Sequence, residues 1–163
     1  MKQFIVYLFI LWTVTEFGNA IYHDCGSTLG TVESVEVSNC KPDDARCVLV
    51  RNANTTIKLK FTLKENVDKI KAIVHGVIMS VPINFPIPNS DACVDSNLVC
   101  PLKAGETYLY VAVMPVLKSY PKITVEVKWE LQRITTNISE DKNKTSEDTS
   151  NDILCIMIPS RIQ

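Results

Sequence analysis

Glycine is scarce in this chain, at five residues in 163, and histidine scarcer still, at two. So little glycine leaves no phosphate-cradling loop and no nucleophile elbow, and His23 and His75 are too far apart to form a paired-histidine metal motif. No two cysteines stand two residues apart, which argues against a zinc site. Neither sign of charge dominates: 17 Lys and Arg face 18 Asp and Glu, for a net charge of −1. The clustered cations that nucleic-acid binding demands are therefore missing. Beyond the first twenty residues no apolar run is long enough to cross a bilayer, and no segment carries a capped stripe of period 3.6.

The beginning of the chain has its own character. Met1-Lys2-Gln3 leads into eleven largely apolar residues, Phe4 to Val14, and a polar stretch ends in Gly18-Asn19-Ala20. One positive charge, a short apolar core and small residues before the junction make a secretory signal peptide over residues 1–20. Eleven apolar residues cover only about half of a ~30 Å hydrocarbon layer, so a membrane anchor is the poorer reading. The mature chain then starts near Ile21 and forms one domain, residues 21–163, large enough to bury a core. Lys2 and Glu16 leave together, so its charge stays at −1.

Six cysteines follow the signal: Cys25, Cys40, Cys47, Cys93, Cys100 and Cys155. An even number in a secreted chain reads as three disulfides, with fifteen connectivities open in principle. Cys40 and Cys47 enclose six residues, and so do Cys93 and Cys100. Close neighbours have the highest effective concentration for each other, so they pair locally and leave Cys25 for Cys155. In the chain-entropy picture that long closure stabilises by ~5 kcal/mol, against ~2–3 for each short loop.

The dominant period along the mature chain is two. Ile57, Leu59, Phe61 and Leu63 face one way, with Lys58, Lys60 and Thr62 opposite. Ile123, Val125, Val127, Trp129 and Leu131 repeat the pattern, with Thr124, Glu126, Lys128 and Glu130 expected outward. These are half-buried strands of antiparallel sheets. Further strands are expected at 31–38, 47–51, 69–80, 107–114 and 153–158. The fold class is therefore all-β, a sandwich of about seven strands in two antiparallel sheets. The segment Val81-Pro82-Ile83-Asn84-Phe85-Pro86-Ile87-Pro88 is apolar, but its three prolines deny it the ladder bonds of a central strand. It belongs on an edge or rim, where Phe85 and Ile87 can cover a cavity. Residues 133–152 are polar and read as a loop. They carry the sequons at Asn137 and Asn143, while a third, at Asn54, stands where a strand begins.

Catalytic chemistry finds no carriers. The carboxylates fall on outward strand positions or in the polar loop, and no nucleophile has a base beside it. His75 lies in an apolar strand and reads as a neutral, hydrogen-bonded imidazole at the core's edge; the sharper reading is a pH sensor. What remains is a surplus of apolar and aromatic residues. They make a plain core, or a dry pocket between splayed sheets for an apolar ligand.

Several segments tip that balance. Asp24-Cys25-Gly26-Ser27, Val74-His75-Gly76, Val81-Pro82, Phe85-Pro86-Ile87-Pro88, Cys100-Pro101, Tyr120-Pro121, Val127-Lys128-Trp129-Glu130-Leu131-Gln132 and the closing Cys155 with Ile158-Pro159 resemble the ML lipid-recognition family. The likeness is strongest to its secreted Niemann–Pick type C cholesterol-binding branch and the arthropod relatives. It covers nearly all of the mature chain. The resemblance implies a seven-stranded immunoglobulin-like β-sandwich, the local, local and terminal disulfides inferred above, and an apolar tunnel between the sheets.

By position, Phe85, Val116 and Tyr120 would line the mouth. Ile87, Val81 and Trp129 complete the candidate ligand-binding set, and Lys118 and Lys122 flank it, either as solvated lysines or as cations that attract a ligand carboxylate. Asn84 stands where the branch has proline, which makes the rim more polar, and the polar loop is longer. The implied activity is that of a monomeric carrier of a sterol or fatty acid, with no cofactor, metal or catalytic residue. Its partners would be the lipid and, transiently, an acceptor membrane or receptor, outside the cell or in the lysosomal lumen. Rival readings are a chemosensory carrier of small semiochemicals and an innate-immune subunit recognising microbial glycolipid. A lining side chain lacks packing partners on its ligand side, so neither Phe85 nor Val116 is expected to be central to the fold.

Overall fold

The computed structural model describes residues 21–134 and 152–163, and these contain strands and no helix. The signal segment, the sequons at Asn137 and Asn143 and most of the polar loop lie outside the described residues. Nine strands occur, two more than expected, because a two-residue β1 (His23–Asp24) and a four-residue β6 (Val81–Asn84) join the longer elements. The others are β2 (Gly30–Val37), β3 (Cys47–Leu49), β4 (Ala53–Leu63), β5 (Ile70–Ile78), β7 (Thr107–Val116), β8 (Thr124–Arg133) and β9 (Asp152–Ile162).

They form two facing sheets. One runs β1-β9-β8-β5-β6, with β3 attached to β9; the other runs β2-β4-β7. All pairings are antiparallel except β3 with β9. The alternation predicted for β4 holds: Ile57, Leu59, Phe61 and Leu63 are buried and Lys58 and Lys60 exposed. On β8, Val125, Val127, Trp129 and Leu131 point inward as expected. Their register partners across β9, Ile158, Ile156 and Leu154, are inward as well. Inward residues of the two sheets thus meet in one core.

Glu130 departs from expectation. It does sit on the outer face of its sheet, yet it is only 5% exposed. Lys128 Nζ lies 2.8 Å from one carboxylate oxygen and His75 Nδ1 3.2 Å from the other. Lys128 and Glu130 are two apart on one strand face, and His75 is the register partner of Lys128 on β5. Burial of this carboxylate is tolerable because both of its oxygens are partnered. His75 is thus bonded at the margin of the core, as the sequence suggested.

The disulfides are Cys25–Cys155, Cys40–Cys47 and Cys93–Cys100, with no free cysteine among the described residues. The first ties β1 to β9, where Cys25 N–H also donates to Cys155 O. Asp24 helps to shape this corner. Partial burial works against its charged form, but hydrogen bonds from Ser27 and Gly26 win and hold its carboxyl below the ordinary range.

The candidate lipid site

The proline-rich segment is an edge, as its composition requires. β6 pairs only with β5, from His75↔Asn84 to Ile78↔Val81. Phe85 follows it and donates its N–H to Val74 O at 2.8 Å. The Phe85 ring turns inward over Gly76. A Cβ added at Gly76 would crowd Val125 at 3.3 Å and would meet Phe85 at an ordinary contact distance of 3.9 Å. Phe85 then meets Tyr120, with ring centroids 4.6 Å apart and planes tilted by 52°. That separation and tilt are favourable for an aromatic pair. Both rings are half-buried, and partial burial raises the Tyr120 phenol's pKa above its ordinary value.

Tyr120 is held by a turn in which its N–H donates to Leu117 O. Arg51 pins the same turn by donating from Nη1 to the carbonyls of Lys118 and Tyr120. Val116 ends β7 just before it, and its carbonyl accepts from Asn52 N–H. At 1% exposed, Val116 is ordinary core. The expectation that it lies outside the fold's packing therefore fails, because the two sheets close on it rather than leaving a gap.

Behind the aromatic pair runs a narrow apolar seam. One cavity of about 10 Å³ lies against Phe85, Gly76, Val125 and Ile162. A second, of about 20 Å³, lies deeper against Trp129, Ile57 and Ile158. Leu49, Met114 and Val127 border both. Each is about the size of one water, far below the several hundred Å³ of a lipid pocket. Met114, unbranched and adaptable, stands between the two cavities and is suited to moving aside.

The remaining candidates are spread out. Trp129 forms the deep wall and is fully buried. Tyr110 lies against it at a centroid distance of 6.2 Å. Burial pushes the Tyr110 phenol up to about 12, with the neighbouring indole pulling slightly the other way. The two rings floor an open crevice of about 290 Å³ between β7 and residues 87–96, and Ile87 stands at its rim. Val81 is not brought to the site. It sits at the far end of β6, 59% exposed and paired with Ile78. Lys118 and Lys122 are exposed beside the mouth. Among the described residues no group of three His, Cys, Asp or Glu converges as a metal site would.

A family model described as the ML domain matches residues 19–139. The chain belongs to the ML domain family. A tobacco hornworm (Manduca sexta) relative, the ecdysteroid-regulated 16 kDa protein, is 46% identical over 141 residues, 86% of this chain and 87% of its own. The NPC intracellular cholesterol transporter 2 homolog a of Drosophila melanogaster is 40% identical, covering 87% of this chain and 86% of its own. The bovine NPC intracellular cholesterol transporter 2 is 33% identical over 98% of this chain and 96% of its own. A crystal structure of a Niemann–Pick type C2 protein from the Japanese carpenter ant superposes with a TM-score of 0.74 at 27% identity, covering 87% and 98% of the two chains.

Reading the ML domain from sequence missed Leu49, Met114, Val127 and Tyr110 as lining. The inward alternation of β7 at Tyr110, Met114 and Val116 was available as a signal for two of them. Leu49 reaches the seam through a parallel pairing with distant Ile162, which no local pattern announces.

Proposed function

We propose that this ML domain is a secreted carrier that binds a sterol or fatty acid between its two sheets and transfers it without covalent chemistry. The observation that carries the reading is the apolar seam that runs from Trp129 to the half-buried Phe85–Tyr120 pair. The relatives named as cholesterol transporters point to the same class of ligand. Phe85 and Tyr120 act as the gate, Val116 as the side wall and Ile87 as part of the rim. The ligand tail enters by separating the sheets along Met114 and Val127 and fills the space the seam now closes. A sixteen-carbon chain gains roughly 0.8 kcal/mol per methylene, on the order of 12 kcal/mol gross. Association and opening the seam take back several kcal/mol, and a net near 8 kcal/mol corresponds to about micromolar affinity. Three disulfides and the signal-like first twenty residues support a site of action outside the cell or in the lysosomal lumen. Transfer requires only a transient encounter of the monomer with an acceptor membrane or receptor.

Native mass spectrometry of protein purified from secreting cells, followed by lipid extraction, tests the proposal. A sterol or fatty acid bound one to one is expected. Folded protein that carries neither, and displaces neither a fluorescent sterol nor a fluorescent fatty acid, would overturn it.

A further inference from the structure

The outer face of the three-stranded sheet holds a feature that lipid carriage does not use. On β7 the residues facing away from the core are Leu109, Val111, Val113 and Pro115, and Leu117 follows the strand. Leu109 is 40%, Val113 49% and Leu117 44% exposed. This is a continuous apolar stripe, and it lies on an edge strand, since β7 pairs only with β4. An exposed apolar edge invites pairing with another chain.

Part of the edge is already blunted. Val111 N–H donates to Ser96 O, and Asn97 Nδ2 donates to Leu109 O. Pro115 has no N–H to offer. An antiparallel strand presents alternate residues to alternate sides, so Val113 shares the side of Val111. Among the described residues Val113 is therefore a point at which the edge stays open.

Asn54 is placed to cover it. It is exposed on β4, and even-numbered β4 residues face outward with odd-numbered β7 residues. Its register partner is Pro115, and that of Thr56 is Val113. Directly opposed side chains stand about 5 Å apart and diagonal ones about 7–8 Å. On its other flank Asn54 has no strand, because β2 ends at Val37 opposite Ile57. Asn54-Thr55-Thr56 is a glycosylation sequon.

We propose that Asn54 carries an N-linked glycan whose first sugars lie on Val113, Pro115 and Leu117 and shield the open β7 edge. The inference rests on the reading that the chain passes through the secretory pathway. In the transfer, Asn54 Nδ2 forms a bond to the anomeric carbon of a lipid-linked oligosaccharide. The carbon–oxygen bond to the lipid diphosphate breaks, and the amide proton leaves with that group. The apolar C–H faces of the sugar rings then pack on the stripe while their hydroxyls keep it wetted.

The test uses the full chain secreted from eukaryotic cells, in a background with Asn137→Gln and Asn143→Gln. Glycopeptide mass spectrometry should find Asn54 occupied in this protein and in Thr56→Ser, which keeps the sequon. Thr56→Ala, which keeps Asn54 but destroys the sequon, should lose the mass of one glycan. Light scattering should show Thr56→Ala shifting from monomer toward dimer, with increased binding of an apolar-surface dye. Adding Val113→Lys should return it to monomer. Unmodified Asn54 in the secreted protein overturns the proposal, as does a glycan-free form that stays monomeric with unchanged dye binding. Lipid uptake, measured in parallel, should be equal in all forms. Its loss from every form would count against the carrier reading and leave this one standing.

Discussion

At the Cys25–Cys155 end of the sandwich, Phe61, Leu63, Ile70, Leu131 and Leu154 are all fully buried, and packing at Gly30 is close enough that a Cβ there would stand 3.0 Å from Leu154 and 3.2 Å from the Ile153 carbonyl. At the other end, β4, β7, β8 and β9 continue with side chains just as apolar, yet the sheets enclose two small cavities and finish on the half-exposed Phe85–Tyr120 pair. The same strands supply both ends, so the difference lies in what meets them. Paired inward aliphatic side chains lock the first end. The second is sealed by a proline-bearing edge segment that pairs on one side, with β5, and by a turn pinned through Arg51. The tightest packing and the proposed ligand entrance thus fall at opposite ends of one core.

The strongest way to break that comparison is to cut a large side chain from the locked end. Phe61→Ala should cost about 3–5 kcal/mol, the range for truncating a fully buried aromatic residue. Denaturant midpoints would show it, and loss of lipid binding should follow only from unfolding. A cost no greater than that of Phe85→Ala would erase the distinction between the ends.

Tyr110 sharpens the boundary between them. It pairs with Leu59 of the locked core on one strand face but floors the open crevice beside Trp129. Its phenol is held at about 12 against an ordinary 10. The raised value means that the folded state favours the protonated form. The associated stability is complete below pH 10 and is lost as pH rises from 10 through 12. Two units correspond to about 2–3 kcal/mol. Tyrosinate absorbance followed with pH should show one late-titrating tyrosine, and denaturant stability should fall over the same interval. Ionisation of all tyrosines near pH 10 without loss of stability would show that the crevice admits water to Tyr110.

Much of this arrangement was legible in the chain. The alternation at 57–63 and 125–131 predicted both central strands, because residues packed on one face leave a mark of period two. Equal cysteine spacings predicted the local disulfides, and the prolines of 81–88 predicted an edge. Distant relations were not legible. The β3–β9 parallel pairing joins residues more than a hundred positions apart. Burial of Glu130 depends on His75 arriving from another strand. Closure of the seam is a property of packing between sheets, and alternation tells only that side chains point inward, not how closely they meet. For that reason Val116, read from the sequence as mouth lining, is found among the buried core residues.

Phe85 and Val116 test the mouth with the smallest expected changes in the fold. Val116→Phe adds a ring to a site with no free space, so overpacking should cost about 1–3 kcal/mol of stability. The same ring would occupy the side wall of the seam and weaken binding of a fluorescent sterol or fatty acid about tenfold, or roughly 1.4 kcal/mol. Phe85→Ala should behave differently. Its ring is half-exposed and packs chiefly on Tyr120 and over Gly76, so its removal should cost only about 1 kcal/mol of stability. Binding should lose about 1–3 kcal/mol, because the apolar contact that closes over the ligand is gone. The informative quantity is the ratio of the two losses in each variant, from paired denaturation and displacement measurements. Val116→Phe should lose both together and Phe85→Ala mainly binding. Should Phe85→Ala bind normally while folded, access runs elsewhere, with the crevice floored by Tyr110 and Trp129 the next place to look. Should it unfold as readily as Phe61→Ala, the aromatic pair is structural core and the two ends of the sandwich are alike.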